Sequence, residues 1–243
     1  METPETLDQG WTAPRLREAS EDTSNPPHQY LTIDRIYGIS GETLTCEVAI
    51  PRDINAGDSI RPRGQYSSVI YDAGPVSVPS PPPSTLLIPF PKFMLYGSSG
   101  ASLNLNFALR RQGAGDWLIS QSRLIRIQAQ PLEPQAPVLP RGSRRLVIQY
   151  TGMASGHTVR ARLYSSATQF TDTAEVTVSG GTAYIDIPYS WFVANSGRTV
   201  WINYAVNRRG DTRRIFSRLL YIERLEVPSL WRWLSKKLAY FFR

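Results

Sequence analysis

Gly156-His157-Thr158-Val159-Arg160-Ala161-Arg162-Leu163 reads as a strand entered from a glycine turn, and its pattern occurs twice in the chain. Shifted back by 99 positions, Gly156 meets Gly57, Val159 meets Ile60, Arg160 meets Arg61 and Arg162 meets Arg63. The same shift sets Pro188 on Pro89 and Phe192 on Phe93. A two-residue deletion near Ser98–Ser102 then brings Asn106-Phe107-Ala108-Leu109 onto Asn203-Tyr204-Ala205-Val206. A second small deletion brings Gly115-Asp116 onto Gly210-Asp211, Ser122-Arg123-Leu124 onto Ser217-Arg218-Leu219 and Ile127 onto Ile222. Agreement in one order over about 75 residues marks a duplicated module. Both deletions fall in glycine-rich stretches, where a loop tolerates a change of length.

The repeated segments carry the period of a strand. Leu103–Leu109 and Val200–Val206 alternate apolar with small or polar residues, although Trp201 makes one face of the second less polar. Leu124–Ile127 and Leu146–Tyr150 are β-rich, and Val159–Leu163 puts Arg160 and Arg162 on one face. Ala174–Val178 and Ala183–Ile187 continue the pattern, with Gly180-Gly181 as the turn between them. Pro51, Pro62, Pro89 and Pro188 suit strand ends or edges, because proline has no N–H to give to a ladder. Many short strands separated by turn residues predict an all-β chain of two tandem immunoglobulin-like sandwiches. The expected layout is a disordered acidic leader over 1–29, a first domain over 30–128 and a Pro-rich linker over 129–137. A second domain over 138–227 and a short amphipathic cationic helix over 228–243 complete it.

Composition narrows the classes. The 243 residues are 41% hydrophobic, enough for real cores, and no apolar run reaches the roughly 18–20 residues needed to span a bilayer. The N-terminus shows no secretory signal, so export, if any, is expected by another route. A single cysteine, Cys46, rules out an intrachain disulfide and is expected as a small buried strand residue. The net charge of +7 is uneven: residues 1–29 carry six acidic against two basic side chains, so the remainder is +11. Such a body favours anionic partners.

Asp53-Ile54-Asn55-Ala56-Gly57-Asp58-Ser59-Ile60-Arg61-Pro62-Arg63, its counterpart Tyr150–Arg162, the Ile88-Pro89 and Ile187-Pro188 strand ends and the Asn203–Ser217 hairpin carry a family resemblance. Over about residues 40–225 the chain resembles the Ig-like repeats, each of about 100 residues, of large proteobacterial surface and secreted proteins. The resemblance implies an Ig-like fold and a role in display, spacing or adhesion. It implies neither a catalytic site nor a particular ligand.

No enzyme motif is present. Two separated histidines, His28 and His157, and one cysteine make no closed zinc site, and there is no nucleophile elbow, Walker loop or dinucleotide fingerprint. Asp116 and Asp211, matched across the repeat, are expected to serve the shared hairpin. No cofactor is expected, and no nucleic-acid motif matches.

Two binding features remain. Proline ends the last strand at Pro228, and Ser229 is a plausible N-cap for a helix to Arg243. Leu230, Trp231, Leu234, Leu238, Phe241 and Phe242 fall on one helical face, with Trp233, Lys236 and Lys237 completing the expected contact set. Rings beside cations suit an anionic membrane surface, and the same face suits a groove on a partner protein or on the second module. The second feature is a basic patch for an anionic ligand: Arg160, Arg162, Arg208, Arg209, Arg213 and Arg214. The expected function is therefore a non-enzymatic interaction protein, with a glycan-binding adhesin or a secreted toxin with a membrane-active tail as alternatives.

Overall fold

The computed structural model describes residues 5–7, 10–23, 28–165, 170–211 and 213–228. The chain divides into two compact units, Met1–Gln130 and Pro131–Arg243.

The first unit runs β1 (Glu5–Leu7), β2 (Arg15–Leu16), β3 (Ser20–Glu21), β4 (Gln29–Leu31), α1 (Ile33–Gly38), β5 (Thr43–Ala49) and β6 (Ser59–Tyr66). It continues through β7 (Val69–Asp72), β8 (Val76–Ser77), β9 (Thr85–Pro91), α2 (Lys92–Gly97), β10 (Ser102–Arg110), β11 (Trp117–Ile119) and β12 (Arg123–Ile127). The second unit runs β13 (Arg145–Ile148), β14 (Thr158–Ser165), β15 (Thr171–Asp172), β16 (Val176–Thr177) and β17 (Ala183–Asp186). It ends with α3 (Tyr189–Ala194), β18 (Val200–Asn207), β19 (Ile215–Phe216) and β20 (Leu220–Ile222).

Each unit is a sandwich of a large and a small sheet. In the second unit the large sheet has the order β15-β14-β18-β19, with β16 on β14 and β20 on β18, and the small sheet pairs β13 with β17. One core joins them: Leu146, Ile148 and Ile185 come from the small sheet, and Val159, Leu163, Ile202, Tyr204 and Val206 from the large one. Each buried aliphatic or aromatic side chain contributes about 1.5–3 kcal/mol, and the period of two delivers them to one face. The first unit repeats the plan, with β2-β5-β9 as its small sheet and β10 paired to β6, β11 and β12 in the large one. Cys46 is fully buried on β5, as expected, and burial pushes its thiol pKa up.

The duplication holds, but its gaps move. β6 and β14 match at the 99-residue shift, and Asp72 on β7 matches Asp172 on β15 at 100, since they pair with Arg63 and Arg162. From Thr85 to Ile127 the shift is 97 without interruption, fixed by equivalent bonds. The Phe107 and Tyr204 amides donate to the Ser120 and Ser217 hydroxyls, each at 3.0 Å. Ile125 pairs with Leu103 as Ile222 pairs with Val200. Three residues are therefore lost in the proline-rich loop Pro79–Ser84, which Ser179–Gly181 replaces, and the Pro89/Pro188 and Phe93/Phe192 matches are coincidences of type. Asp116 is the counterpart of Arg213, not of Asp211. Gly180-Gly181 closes no hairpin either: β16 lies in the large sheet and β17 in the small one, so this stretch crosses the sandwich.

The two cores fill the same space differently. A Cβ on Gly64 would stand 2.7 Å from the Phe90 ring, whereas the second unit has Leu163 and Ile187 at these positions. The second unit divides that volume between two aliphatic side chains of equal size. Gly64→Leu is expected to overpack the first core by about 1–3 kcal/mol, and Phe90→Ile in that background to recover part of the loss in a urea titration. Pro62 shows a similar exchange. It sits mid-strand on β6 at the break between β7 and β8, where no ladder N–H is needed. In the second unit Ala161 has that N–H and gives it to the Thr173 hydroxyl at 3.1 Å, where the first unit has Ala73.

Over its described residues, 5–7, 10–23 and 28–29, the leader expected to be disordered is packed on the first unit. Trp11 and Leu16 are buried, and the Trp11 ring stacks on Phe107 at 5.8 Å. β1 runs parallel to β11, β2 joins β5, and the β3–β4 hairpin lies along β12. Glu21 and Asp22 pair with Arg123 and Arg126 at 3.0 and 3.1 Å. Few side chains hold the segment, but each meets a specific partner. The Pro-rich linker over 129–137 is tied at both ends. The Gln130 amide bonds Ser99 within the first unit, while the Pro134 carbonyl accepts from Arg218 within the second.

Candidate functional site

Leu230, Trp231, Trp233, Leu234, Lys236, Lys237, Leu238, Phe241 and Phe242 lie outside the described residues. The arginines Arg160, Arg162, Arg208, Arg209, Arg213 and Arg214 lie within them, on the large sheet of the second unit and the β18–β19 hairpin.

Antiparallel register fixes the outward face. Arg162 stands opposite Asn203 and, on its other side, Asp172; Arg160 stands opposite Ala205. Side chains directly opposite share a face, so these five form one block. Arg162 donates two bonds to the Asp172 carboxylate, at 2.6 and 2.9 Å, and Arg160 reaches it at 3.1 Å. The β18–β19 register carries Arg214 alongside Asn207 on the same face. Burial disfavours the charged Asp172. The Arg162 bonds and the charges of Arg162, Arg160 and Arg214 outweigh it and hold the carboxyl below its usual range. The Arg162 guanidinium lies 4.8 Å from the half-exposed Phe170 ring.

The first unit shows this face in another state. Arg61 and Arg63 share Asp72 at 3.6 Å each. Trp117 lies between Arg61 and Arg110, at 4.2 and 4.9 Å from their guanidinium carbons. Arg214 occupies the Trp117 position, so a ring between cations is replaced by another cation. Asn106 bonds the Ser122 hydroxyl at 3.3 Å. Its counterpart Asn203 is fully buried, Leu219 stands in place of Ser122, and neither amide atom of Asn203 has a partner among the described residues.

The hairpins diverge in the same direction. In the first unit Asp58 is buried. It accepts from the Asn55 and Gln112 amides at 3.1 and 2.9 Å and from Arg111 at 3.0 Å, while Arg111 also pairs with Asp53. The second unit has His157 and Gly152 at these carboxylate positions. Tyr150 closes the gap with a hydroxyl 2.7 Å from His157 Nδ1, and Arg208, the counterpart of Arg111, pairs with Asp211 at 2.6 Å instead. Arg209 and Arg213 are exposed where the first unit has Gln112 and Asp116, and Arg218 replaces Gln121. Residues 1–130 hold eleven basic and thirteen acidic side chains; residues 131–243 hold sixteen and seven.

The sequence reading found the arginines and missed Asp172, Asn203 and Phe170. Asp172 was detectable as the counterpart of Asp72, but only at the 100-residue shift. Among the described residues no three His, Cys, Asp or Glu side chains gather as metal ligands. No helix among them is long and apolar enough to cross a membrane.

Duplicated two-sheet sandwiches of this register define the class: an all-β chain of tandem immunoglobulin-like sandwiches. No family model matches the chain, and no curated protein sequence matches it. Similar solved structures include a tetra-tandem repeat in the extending region of a large adhesion protein. It is 12% identical with a TM-score of 0.30, over 79% of this chain and 48% of that one. The FN1–FN3 domains of chicken CNTN1 are 12% identical with a TM-score of 0.24, over 77% of this chain and 62% of that one.

Proposed function

We propose that the chain is a non-enzymatic interaction protein of a bacterial surface or secreted assembly, and that its second half meets an anionic partner. The observation that carries this reading is the direction of divergence between the duplicates. In the β18–β19 hairpin Gln112, Asp116 and Trp117 have become Arg209, Arg213 and Arg214 against one loss, Arg110 to Asn207; just beyond it Gln121 has become Arg218, and before β14 Asp58 has become His157. A fold shared by both units has no need of that change; an anionic partner does.

Residues 229–243 extend the same polarity, with Arg232, Lys236, Lys237 and Arg243 among Trp231, Trp233, Tyr240, Phe241 and Phe242. We assign them to an anionic membrane surface, where ring burial and cation–lipid attraction act together. The test is co-sedimentation with vesicles of phosphatidylglycerol and phosphatidylcholine. The full chain is expected to bind, and a chain ending at Pro228 with unchanged circular dichroism to bind at least tenfold more weakly. Full binding by the shortened chain would sink the assignment. Dye leakage caused by the full chain alone would favour membrane perturbation over docking. A second reading, an acidic glycan, is favoured by the outward face of β14 and β18.

A further inference from the structure

From the outward face of the second unit we infer an oxyanion seat for the carboxylate or sulfate of an acidic polysaccharide, formed by Arg160, Arg162, Arg214, Asn203 and Phe170. It rests on the glycan reading and is a separate proposal from the membrane assignment of residues 229–243.

Three observations converge on it. The first is charge. Arg160, Arg162 and Arg214 face one carboxylate, Asp172, on a partly buried surface, and the Trp117 ring that fills the equivalent place in the first unit is gone. Like charges held together in a partly desolvated setting repel, and an incoming anion relieves that repulsion. Asp172 also displays the recognition: the Arg162 fork holds its carboxylate through two parallel bonds, the geometry that suits carboxylate and sulfate oxygens.

The second observation is Asn203. Buried side-chain amides almost always find partners, because leaving one without costs about 1–3 kcal/mol. The amide of Asn203 has none among the described residues, while its counterpart Asn106 has Ser122. Leu219 removes that partner and leaves a donor and an acceptor, buried and unpaired among the described residues, directly opposite Arg162.

The third observation selects the macromolecule. Phe170 is 40% exposed and lies beside the Arg162 guanidinium. An apolar ring next to a cation and an amide offers a flat platform for a sugar ring carrying an acidic group, in the usual composition of small-ligand sites. An acidic peptide needs the cations but neither the platform nor the amide.

The experiment is calorimetric titration of the full chain with a uronic-acid oligosaccharide, beside its neutral methyl-ester form and an oligo-aspartate of equal charge. The uronate is expected to bind, the ester not to bind, and the oligo-aspartate to bind at least tenfold more weakly. Arg214→Trp, which installs the residue of the first unit, is expected to weaken uronate binding at least tenfold, and Phe170→Ala severalfold. Arg141→Ala, on the exposed partner of Glu226, leaves it unchanged. Arg214→Gln serves if the tryptophan variant loses its circular dichroism. Equal affinity of Arg214→Gln and the parent overturns the seat. Equal affinity for oligo-aspartate overturns the glycan and leaves only a basic face. Loss of vesicle binding on truncation at Pro228 with uronate binding intact separates this proposal from the membrane assignment.

Discussion

Trp11→Ala is expected to cost the first unit about 3–5 kcal/mol, the range for removing a buried tryptophan. The residue lies in a polar segment that looks dispensable, so the size of the effect is diagnostic. Its ring stacks on Phe107 at the centre of the large sheet, and its carbonyl accepts the Gln121 amide at 3.2 Å. Next to it the buried Gln29 amide bonds the Leu16 backbone in both directions, at 2.9 and 3.1 Å. Losing the ring opens a cavity over Phe107 and loosens β2 and its flank, where Arg15 and the following Arg17 both pair with Glu47. In a urea titration the first-unit transition moves to lower concentration and the second-unit transition stays in place. An unchanged first transition would show that the leader adds nothing to the fold.

Asp58→Ala is expected to cost about 1–3 kcal/mol for each of the Asn55 and Gln112 amides it leaves without a buried acceptor, while Arg111 keeps Asp53. The Asp58 side chain is 3% exposed, and its carboxylate ends the Asn55 turn, the Gln112 amide and one fork of Arg111 together. Burial disfavours its charge, but the Asn55, Gln112 and Arg111 bonds outweigh burial and hold its pKa below the usual range. The sign follows. With the folded pKa below the unfolded one, this stability is present above the unfolded value and lost as pH falls through the folded value. Asp58→Asn therefore flattens the acid limb of first-unit stability, measured by urea unfolding at stepped pH.

Much of the fold was legible because the strand period is short. Val159–Leu163 and its counterpart announce their faces within five residues, and the structure keeps Arg160 and Arg162 on one face with Asp172. Loop lengths were not legible. Proline and phenylalanine recur by chance in β-rich segments, so Pro89 and Phe93 drew a false match that only the Ser120 and Ser217 bonds correct. The leader was unreadable for a different reason. Trp11 and Leu16 carry its burial, and averaging over 29 residues dilutes them below the signal of a folded segment. The site was half legible: cations stand out in a sequence, but the missing partner of Asn203 depends on Leu219 lying where Ser122 lies, and that needs the corrected register.

The proposal puts binding on what the second duplicate does not share with the first, and the chain contains its own control. The direct measurement is a nitrogen-15 NMR titration of the full chain with the uronic-acid oligosaccharide. Shifts are expected at Arg160, Arg162, Phe170 and the side-chain amide of Asn203, with Arg61, Arg63 and the side-chain amide of Asn106 unmoved. Equal shifts at both sets, or shifts at the first set's counterparts alone, would contradict the assignment of binding to the second unit.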